Sequence, residues 1–385
     1  MKDFTIVLAP DSFKESMTAK EVCLAMEKGI KRVNNKINCV HVPMADGGEG
    51  TMQSLIDATN GKVYSIKVVG PLSNEVEAQY GILGNGKVGV IEMASASGIH
   101  LVSKEKRNPL ITTTYGTGQL IKACLDKGVK KILIGIGGSS TNDGGTGAME
   151  ALGAKFLDET GKEIGFGGGN LGKLEKIDLS NLDKRLKSVE IEVASDVSNP
   201  LCGENGASNV FGPQKGATKE MVEILDKNLK HYADIIKKQL KKDVLDIPGA
   251  GAAGGLGAGL LAFLDGKLKK GIDLVIKYSG LEDKVKLCDV VFTGEGSIDY
   301  QTKFGKTPIG VARLAKKYDK PVIALAGKVG DNIDELYENG IDSIFGIVRE
   351  ITSIEDALKA GKENVEKASE NVMRLINLCE KNKNI

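Results

Sequence analysis

Residues 4–42 read FTIVLAPDSFKESMTAKEVCLAMEKGIKRVNNKINCVHV, and this stretch decides the fold. Residues 4–9 and 37–42 are apolar runs of strand length, whereas residues 18–31 repeat apolar side chains at helical spacing. Parallel strands need a crossover connection between them, which is usually a helix. The stretch therefore predicts two parallel strands joined by a helix.

The same alternation continues along the chain and returns near its end. A helix at residues 50–58 and a strand at 63–69 follow directly. Later come strands at 290–293, 322–326 and 343–348, and helices at 307–317 and 354–378. A repeated strand–helix rhythm with apolar strands predicts a parallel, doubly wound α/β sheet. We expect the two ends of the chain to build one sheet.

The middle of the chain has a different pattern. Two alternating runs, at residues 76–83 and 87–93, are joined through Gly84-Asn85-Gly86, which is typical of a β-hairpin. Further helices and strands follow at 116–128, 131–136, 144–152, 189–194, 219–241 and 254–264. We predict two domains: residues 1–70 with 280–385, and an inserted mixed α/β domain at 71–279. Active sites commonly lie in the cleft between two such domains.

The composition excludes several classes of protein. The 385 residues carry 52 Lys+Arg against 51 Asp+Glu and have no basic stripe, so we expect no nucleic-acid partner. Apolar runs are only of strand length, which predicts a cytoplasmic protein without a membrane span. Six cysteines without a C-x-x-C pair predict reduced thiols. Three scattered histidines argue against a histidine-based triad or metal site, so the chemistry should rest on carboxylates and lysines.

Glycines are concentrated in four clusters, at residues 44–51, 134–147, 248–257 and 292–299. Most of these clusters also hold an acid, a lysine or a hydroxyl. Glycine lets backbone N–H groups approach a ligand closely, and such loops at strand ends can cradle phosphate oxygens. The clusters predict an enzyme that handles phosphate.

Acids and a lysine follow the first two predicted strands. Lys14, in Ala9-Pro-Asp-Ser-Phe-Lys14, can reach a phosphate or a substrate carboxylate. Asp46 and Glu49 flank the start of a helix, where each suits Mg²⁺ or a substrate hydroxyl. The alternative for Asp46 is a helix cap.

In the middle of the chain, a strand ends in a loop that contains Gly137, Gly138, Ser139, Ser140 and Thr141. The loop is neither a Walker A sequence nor a dinucleotide fingerprint, so a different phosphate site is predicted.

Three further motifs carry charges. Asp196, at the end of the predicted strand 189–194, suits a general base or a metal ligand, and an Asx-turn before Pro200 is equally compatible. Lys215 and Lys306 suit phosphate oxygens, with a solvated surface lysine as the alternative for each. The run Thr293-Gly294-Glu295-Gly-Ser-Ile-Asp299 adds acids at another strand end.

Together these motifs resemble the bacterial type I glycerate kinases. The resemblance rests on Ala9–Lys14, Ala45–Thr51, Gly137–Gly145, Ser195–Leu201, Gly212–Ala217 and Thr293–Asp299, in order along the chain. It implies a flavodoxin-like domain, discontinuous in sequence, with the second domain inserted. It also implies ATP- and Mg²⁺-dependent phosphorylation of D-glycerate at the 2-hydroxyl, giving 2-phosphoglycerate.

We therefore expect a small-molecule kinase, with catalytic roles for Asp46, Asp196 and Lys14. Phosphate and nucleotide contacts are expected from Gly137, Gly138, Ser139, Ser140, Thr141, Lys215, Gly294, Glu295 and Lys306, and metal contacts from Asp46, Glu49 and Asp299. Alternatives are phosphorylation at the 3-hydroxyl or a sugar-acid-binding protein without catalysis. A nicotinamide-dependent dehydrogenase would need the sequence G-x-G-x-x-G after its first strand, where this chain has Ala9–Lys14 instead. The sequence therefore argues against a dehydrogenase. D-Glycerate is the expected partner, and a homodimer is compatible with the sequence.

Overall fold

The computed structural model describes residues 4–382. Its strands are β1 (Thr5–Leu8), β2 (Asn38–His41), β3 (Lys62–Val69), β4 (Glu75–Ile82), β5 (Val88–Glu92), β6 (Lys131–Gly135), β7 (Lys155–Leu157), β8 (Lys176–Asp178), β9 (Glu190–Ala194), β10 (Lys267–Lys269), β11 (Val290–Ile298), β12 (Val322–Val329) and β13 (Ser343–Gly346). Its α-helices are α1 (Ala19–Val33), α2 (Thr51–Thr59), α3 (Ala94–Ser97), α4 (Tyr115–Asp126), α5 (Thr146–Ala151), α6 (Ala207–Phe211), α7 (Lys219–Leu240), α8 (Leu256–Leu264), α9 (Gly271–Ser279), α10 (Leu281–Leu287), α11 (Thr307–Lys316), α12 (Asp334–Glu338), α13 (Ile354–Lys359) and α14 (Gly361–Asn382).

The contacts within the chain divide it into two compact units. The first unit comprises residues up to Asp46, Gln53–Asn60 and residues from Ile272 onward. The second comprises Gly47–Met52 and Gly61–Gly271. The domain boundaries predicted at residues 70 and 280 stay a prediction.

The first unit contains a sheet whose strands are all parallel, in the order β13-β12-β11-β1-β2. Numbered among themselves along the chain, these strands have the order 2-1-3-4-5, which is that of flavodoxin-like folds. Side chains of α1 and α14, among them Met26 and Val365, are buried with Leu8 and Phe292 in one apolar core. The prediction that both ends of the chain build one doubly wound sheet is confirmed.

The second unit contains a mixed sheet in the order β10-β9-β6-β5-β4-β3. Its strands β4 and β5 form the predicted hairpin, and β5, β6, β9 and β10 are parallel. Large buried side chains fill its core, including Phe156, Tyr232 and Phe263, whose rings contact one another.

The prediction that strand β3 belongs to the parallel sheet was wrong. The strand does not continue the parallel sheet, because it pairs antiparallel with β4 in the mixed sheet. The turn that follows β3 explains this: Gly70 N donates to Asn74 O at 2.6 Å and Ser73 N donates to Gly70 O at 3.0 Å, so the chain folds back. An alternation of strands and helices does not reveal which strand a new one will pair with.

A second prediction also differs from the structure. The single helix predicted at residues 354–378 is two helices, α13 and α14, which meet at Ala360. The Ser16 hydroxyl donates to Leu358 O at 2.6 Å, and a Cβ added to Gly361 would lie 2.3 Å from the same hydroxyl oxygen. This close approach of another segment accompanies the break. Within residues 4–382, none of the helices combines the length and the apolar character that a membrane span requires.

Candidate active site

In the first unit, the segment after β1 runs beside β11. Ala9 N donates to Phe292 O at 2.7 Å, Asp11 N donates to Gly294 O at 2.8 Å, and the Thr293 hydroxyl donates to Ala9 O at 2.8 Å. These bonds continue the parallel pairing of β1 with β11 past the carboxyl end of β1. In a 2-1-3-4-5 sheet the strand order reverses between these two strands, and open α/β sheets bind ligands in the crevice outside that point.

Asp11 lies at this edge and was not among the residues predicted from the sequence. The Thr307 hydroxyl donates to its Oδ2 at 2.5 Å, and Ser12 N donates to its Oδ1 at 2.6 Å. Burial is the main cause that raises the pKa of Asp11 to about 6; the hydrogen bonds from Thr307 and Ser12 oppose this shift, and the nearby carboxylate of Asp46 adds to it. Two carboxylates of the same unit, Asp11 and Asp46, therefore act on each other.

Glu295, on β11, extends the group of acids. It is 8% exposed, accepts a hydrogen bond from the Thr302 hydroxyl at 2.8 Å and lies 3.5 Å from Lys306 Nζ. The pKa of Glu295 is raised to about 7, mainly by burial and also by Asp11, while Lys306 and the Thr302 hydroxyl oppose the shift. Three predicted residues, Asp46, Glu295 and Lys306, thus lie around Asp11. We call Asp11, Asp46 and Glu295 the acid cluster.

Helix α11 begins beside the acid cluster. Lys306 is its N-cap, Thr307 is its first residue, and Pro308 follows at a position where its missing N–H costs no hydrogen bond. The N-terminal end of a helix carries partial positive charge and stabilises nearby anions. Lys306 and the start of α11 therefore offer positive charge to the carboxylates or to a bound phosphate.

The other predicted residues of the first unit have different surroundings. Lys14 is exposed, and within the described residues its ammonium has no hydrogen bond or ion pair. Asp299 caps a short 3-10 helix, with Gln301 N donating to its Oδ1 at 2.8 Å. Gly294 is buried where a Cβ would lie 2.3 Å from Leu325 O, so it allows β11 and β12 to pack closely.

In the second unit, the predicted phosphate loop joins β6 to α5. Gly137 and Gly138 are exposed, whereas Ser139, Ser140 and Thr141 are buried. The Ser140 hydroxyl, which was predicted to contact a phosphate, donates its hydrogen bond to Ser97 O at 2.9 Å instead. Thr141 Oγ1 is buried and has no hydrogen-bond partner among the described residues.

Two buried charged side chains, Asp143 and Lys215, support this loop through hydrogen bonds. Asp143 is fully buried and accepts hydrogen bonds from Thr114 N and the Thr114 hydroxyl, both at 2.8 Å. Lys215 is 2% exposed, and its Nζ donates to Thr141 O at 2.7 Å. Burial lowers the pKa of Lys215 to about 7, with Asp143 opposing the shift. The alternative that Lys215 is a solvated surface lysine is therefore wrong, and the predicted phosphate contact stays a prediction.

Two predicted acids of the second unit are exposed. Asp196 Oδ1 accepts a hydrogen bond from Gly271 N at 3.0 Å, which ties the end of β9 to the start of α9. Glu49 lies near Glu92 and raises the pKa of that carboxyl, whose shift comes mainly from burial. Among residues 4–382, no group of three or more His, Cys, Asp or Glu side chains is arranged to hold a metal ion.

Comparison with known proteins decides the family. The sequence model described as "Glycerate kinase family" matches residues 6–377. The chain belongs to the glycerate kinase family. This confirms the resemblance inferred from the motifs, and membership makes the chain a kinase.

Related proteins match this glycerate kinase family member over nearly its whole length. A Halalkalibacterium halodurans protein named "Glycerate kinase" is 55% identical over 96% of this chain and 97% of its own. An Escherichia coli protein named "Glycerate 2-kinase" is 53% identical over 95% and 96%. The crystal structure of a provisionally named glycerate kinase 2 from Salmonella typhimurium LT2 superposes with a TM-score of 0.92, at 48% identity, over 99% of this chain and 100% of that one.

Proposed function

We propose that this kinase phosphorylates D-glycerate with ATP, at the 2-hydroxyl, to give 2-phosphoglycerate. Family membership supports glycerate as the acceptor. The printed name of the Escherichia coli relative, "Glycerate 2-kinase", supports the 2-hydroxyl. Other relatives are named only "Glycerate kinase", so the 3-hydroxyl is the alternative that the experiment must exclude.

The acid cluster at the carboxyl ends of β1 and β11 is the observation that carries the proposal. Phosphoryl transfer asks a protein mainly for positioning and charge stabilisation, with a carboxylate to orient the attacking hydroxyl and accept its proton. Asp11 suits this task, because its pKa of about 6 is near working pH and its position is fixed by Thr307 and Ser12. Asp46 and Asp196, predicted from the sequence, remain the alternative bases.

Lysines can supply the positive charge. Lys306, at the start of α11, is 33% exposed in its side chain and is paired with Glu295 only at 3.5 Å, so it can turn toward a phosphate. Lys14 has no partner within the described residues and can bind the carboxylate of the substrate. Lys215 supports the loop by holding Thr141 O instead of reaching a ligand.

Mg²⁺ commonly binds through one or two carboxylates together with substrate phosphates, so no complete protein cage is needed. Mutual repulsion between Asp11 and Asp46 is a feature that a cation would relieve, and Asp46 therefore fits this ion. Glu49 and Asp299 are the further ligands proposed from the sequence, and Asp299 Oδ1 already accepts a hydrogen bond. When bound, Mg²⁺ would neutralise charge on the phosphates of ATP.

In the second unit, the nucleotide is proposed to contact the loop residues Gly137, Gly138, Ser139, Ser140 and Thr141. Two features of the loop support a phosphate contact: the exposed backbone of Gly137 and Gly138, and the unpartnered Thr141 Oγ1.

Phosphorus NMR tests the reaction and its position together. The protein is incubated with ATP, Mg²⁺ and D-glycerate, and Asp46→Asn serves as the inactive control. The resonance of 2-phosphoglycerate should grow with that of ADP. Growth of 3-phosphoglycerate would overturn the choice of hydroxyl, and ATP consumption independent of glycerate, or none, would overturn the acceptor.

A further inference from the structure

A cavity of about 600 Å³ lies in the second unit, among residues to which the proposed reaction gives no role. Its walls come from the end of β3, the start of α4, the last turn of α5 and the segments that surround β7. The side chains that decide its chemistry are Tyr115, Glu150, Lys155, Glu163, Phe166 and Asn181.

One wall of the cavity is aromatic. The rings of Tyr115 and Phe166 have centroids 5.3 Å apart and planes tilted by 55°. Val69 and Ala154 add apolar surface to the same lining. Aromatic rings attract cations to their faces, most strongly where water is partly excluded.

The other decisive group is the carboxyl of Glu150. It is partly buried, and it has no hydrogen bond or ion pair with any residue of the described part of the chain. Polar groups removed from water normally have a partner, and a carboxylate without one is costly. Glu150 keeps some contact with solvent, and no donor from the described residues occupies its carboxyl, so a ligand in the cavity can donate to it.

Several charged groups face Glu150. Burial is the main cause that raises the pKa of Glu150 to about 8, and the carboxylates of Asp143, from the loop before α5, and Glu163, from beyond β7, contribute to the same shift. Lys155, on β7, is the cation of the lining, and its Nζ lies 3.9 Å from Glu163 Oε1. Tyr115 contributes a neutral hydroxyl-bearing ring from α4. The surroundings of Glu150 are thus acidic overall.

We propose that this cavity binds a small organic ammonium ion, with its charged group at Glu150 and its apolar part against Tyr115 and Phe166. An anion would meet two carboxylates and one lysine that is already directed toward Glu163. A neutral apolar molecule would leave Glu150 without a partner. An ammonium ion satisfies the carboxylate and uses the aromatic wall, so it is the class that the lining favours.

The proposal does not depend on the kinase reaction, and it has its own pH signature. Because the unbound carboxyl of Glu150 is largely protonated below its pKa of about 8, a cation must displace that proton in order to bind. Affinity should therefore increase as the pH rises from 6.5 to 8.0, by roughly fivefold or more.

Benzylammonium is a suitable probe, because it stays protonated over this range and joins an aromatic ring to a primary amine. Its binding to the full-length protein is measured by isothermal titration calorimetry at both pH values. Benzyl alcohol, of similar size but neutral, is titrated in parallel. We expect benzylammonium to bind more tightly than benzyl alcohol, and only benzylammonium to show the pH dependence.

Glu150→Gln keeps the size of the side chain and should weaken benzylammonium binding at pH 8.0 at least about fivefold, while removing the pH dependence. Glu159→Gln, at an exposed acid outside the cavity lining, is the matched control and should bind as the wild type does. Equal affinity for benzylammonium and benzyl alcohol, no binding of benzylammonium at millimolar concentration, or wild-type behaviour of Glu150→Gln would each overturn the proposal.

Discussion

Replacing Lys215 by methionine should change how the stability of this protein depends on pH. The side chain is 2% exposed, and burial lowers its pKa from the usual 10.5 to about 7. Between these two pH values the unfolded chain holds a proton that the folded protein does not. The contribution of Lys215 to the stability of the wild type therefore rises with pH in this window, and is flat below it and above it.

The size of the effect follows from the two pKa values. Between pH 7 and pH 9 the titration of Lys215 should add about 2 kcal/mol to the free energy of unfolding of the wild type. Lys215→Met cannot gain this amount. It also loses the hydrogen bond to Thr141 O, but that loss shifts its stability by a similar amount at both pH values.

Urea unfolding followed by circular dichroism, at pH 7 and pH 9, measures the difference for both proteins. Lys219→Met, at an exposed lysine at the start of α7, is the matched control and should follow the wild type. Parallel profiles for wild type and Lys215→Met would refute the reasoning, because they would mean that the ammonium of Lys215 is solvated in the folded protein.

Three further substitutions test the site and the sheet beneath it. Asp11→Asn should lower kcat by about a hundredfold or more with an unchanged circular dichroism spectrum, and wild-type turnover would remove Asp11 as the base. Lys14→Ala should raise KM while kcat changes little, because a lysine that binds ground and transition states alike contributes uniform binding; unchanged KM values for glycerate and ATP would argue against it. Gly294→Ala should destabilise the protein by about 1–3 kcal/mol in urea titrations, since its Cβ would lie 2.3 Å from Leu325 O. Gly137→Ala, where a Cβ meets nothing within 4 Å, is the control, and equal losses in the two variants would contradict the packing argument.

Much of the fold could be predicted because its strands and helices carry local signals. Strands β11 and β12 are apolar runs within a parallel sheet, and the β4–β5 hairpin has a glycine-asparagine-glycine turn. The partner of β3 could not be predicted in this way, since the turn at Gly70–Asn74 decides it. The break between α13 and α14 lies against Ser16, which is remote in sequence, so the local pattern of residues 354–378 does not show this contact.

The site was predictable only in part, for a related reason. Glu295 and Lys306 stand in glycine-containing motifs near strand ends, so their residue types and positions gave a usable signal. Asp11 lies in the motif Ala9–Lys14, but its role at the site depends on its contact with Thr307 and on repulsion from Asp46, neither of which the motif encodes. The burial of Lys215 depends on how its turn packs beneath Thr141, which a turn motif does not encode.

The strand order links these observations. Because β1 lies between β2 and β11, the carboxyl ends of β1 and β11 meet, although the whole second unit lies between them in sequence. An insertion between β2 and β11 leaves this meeting point intact, since neither strand has to move within the sheet. Each strand then brings one buried acid, Asp11 or Glu295, to the edge where an open α/β sheet binds its ligand. Burial at this edge is the main cause of the raised pKa values of both acids, and the topology adds to it by placing like charges where a substrate or a cation can separate them.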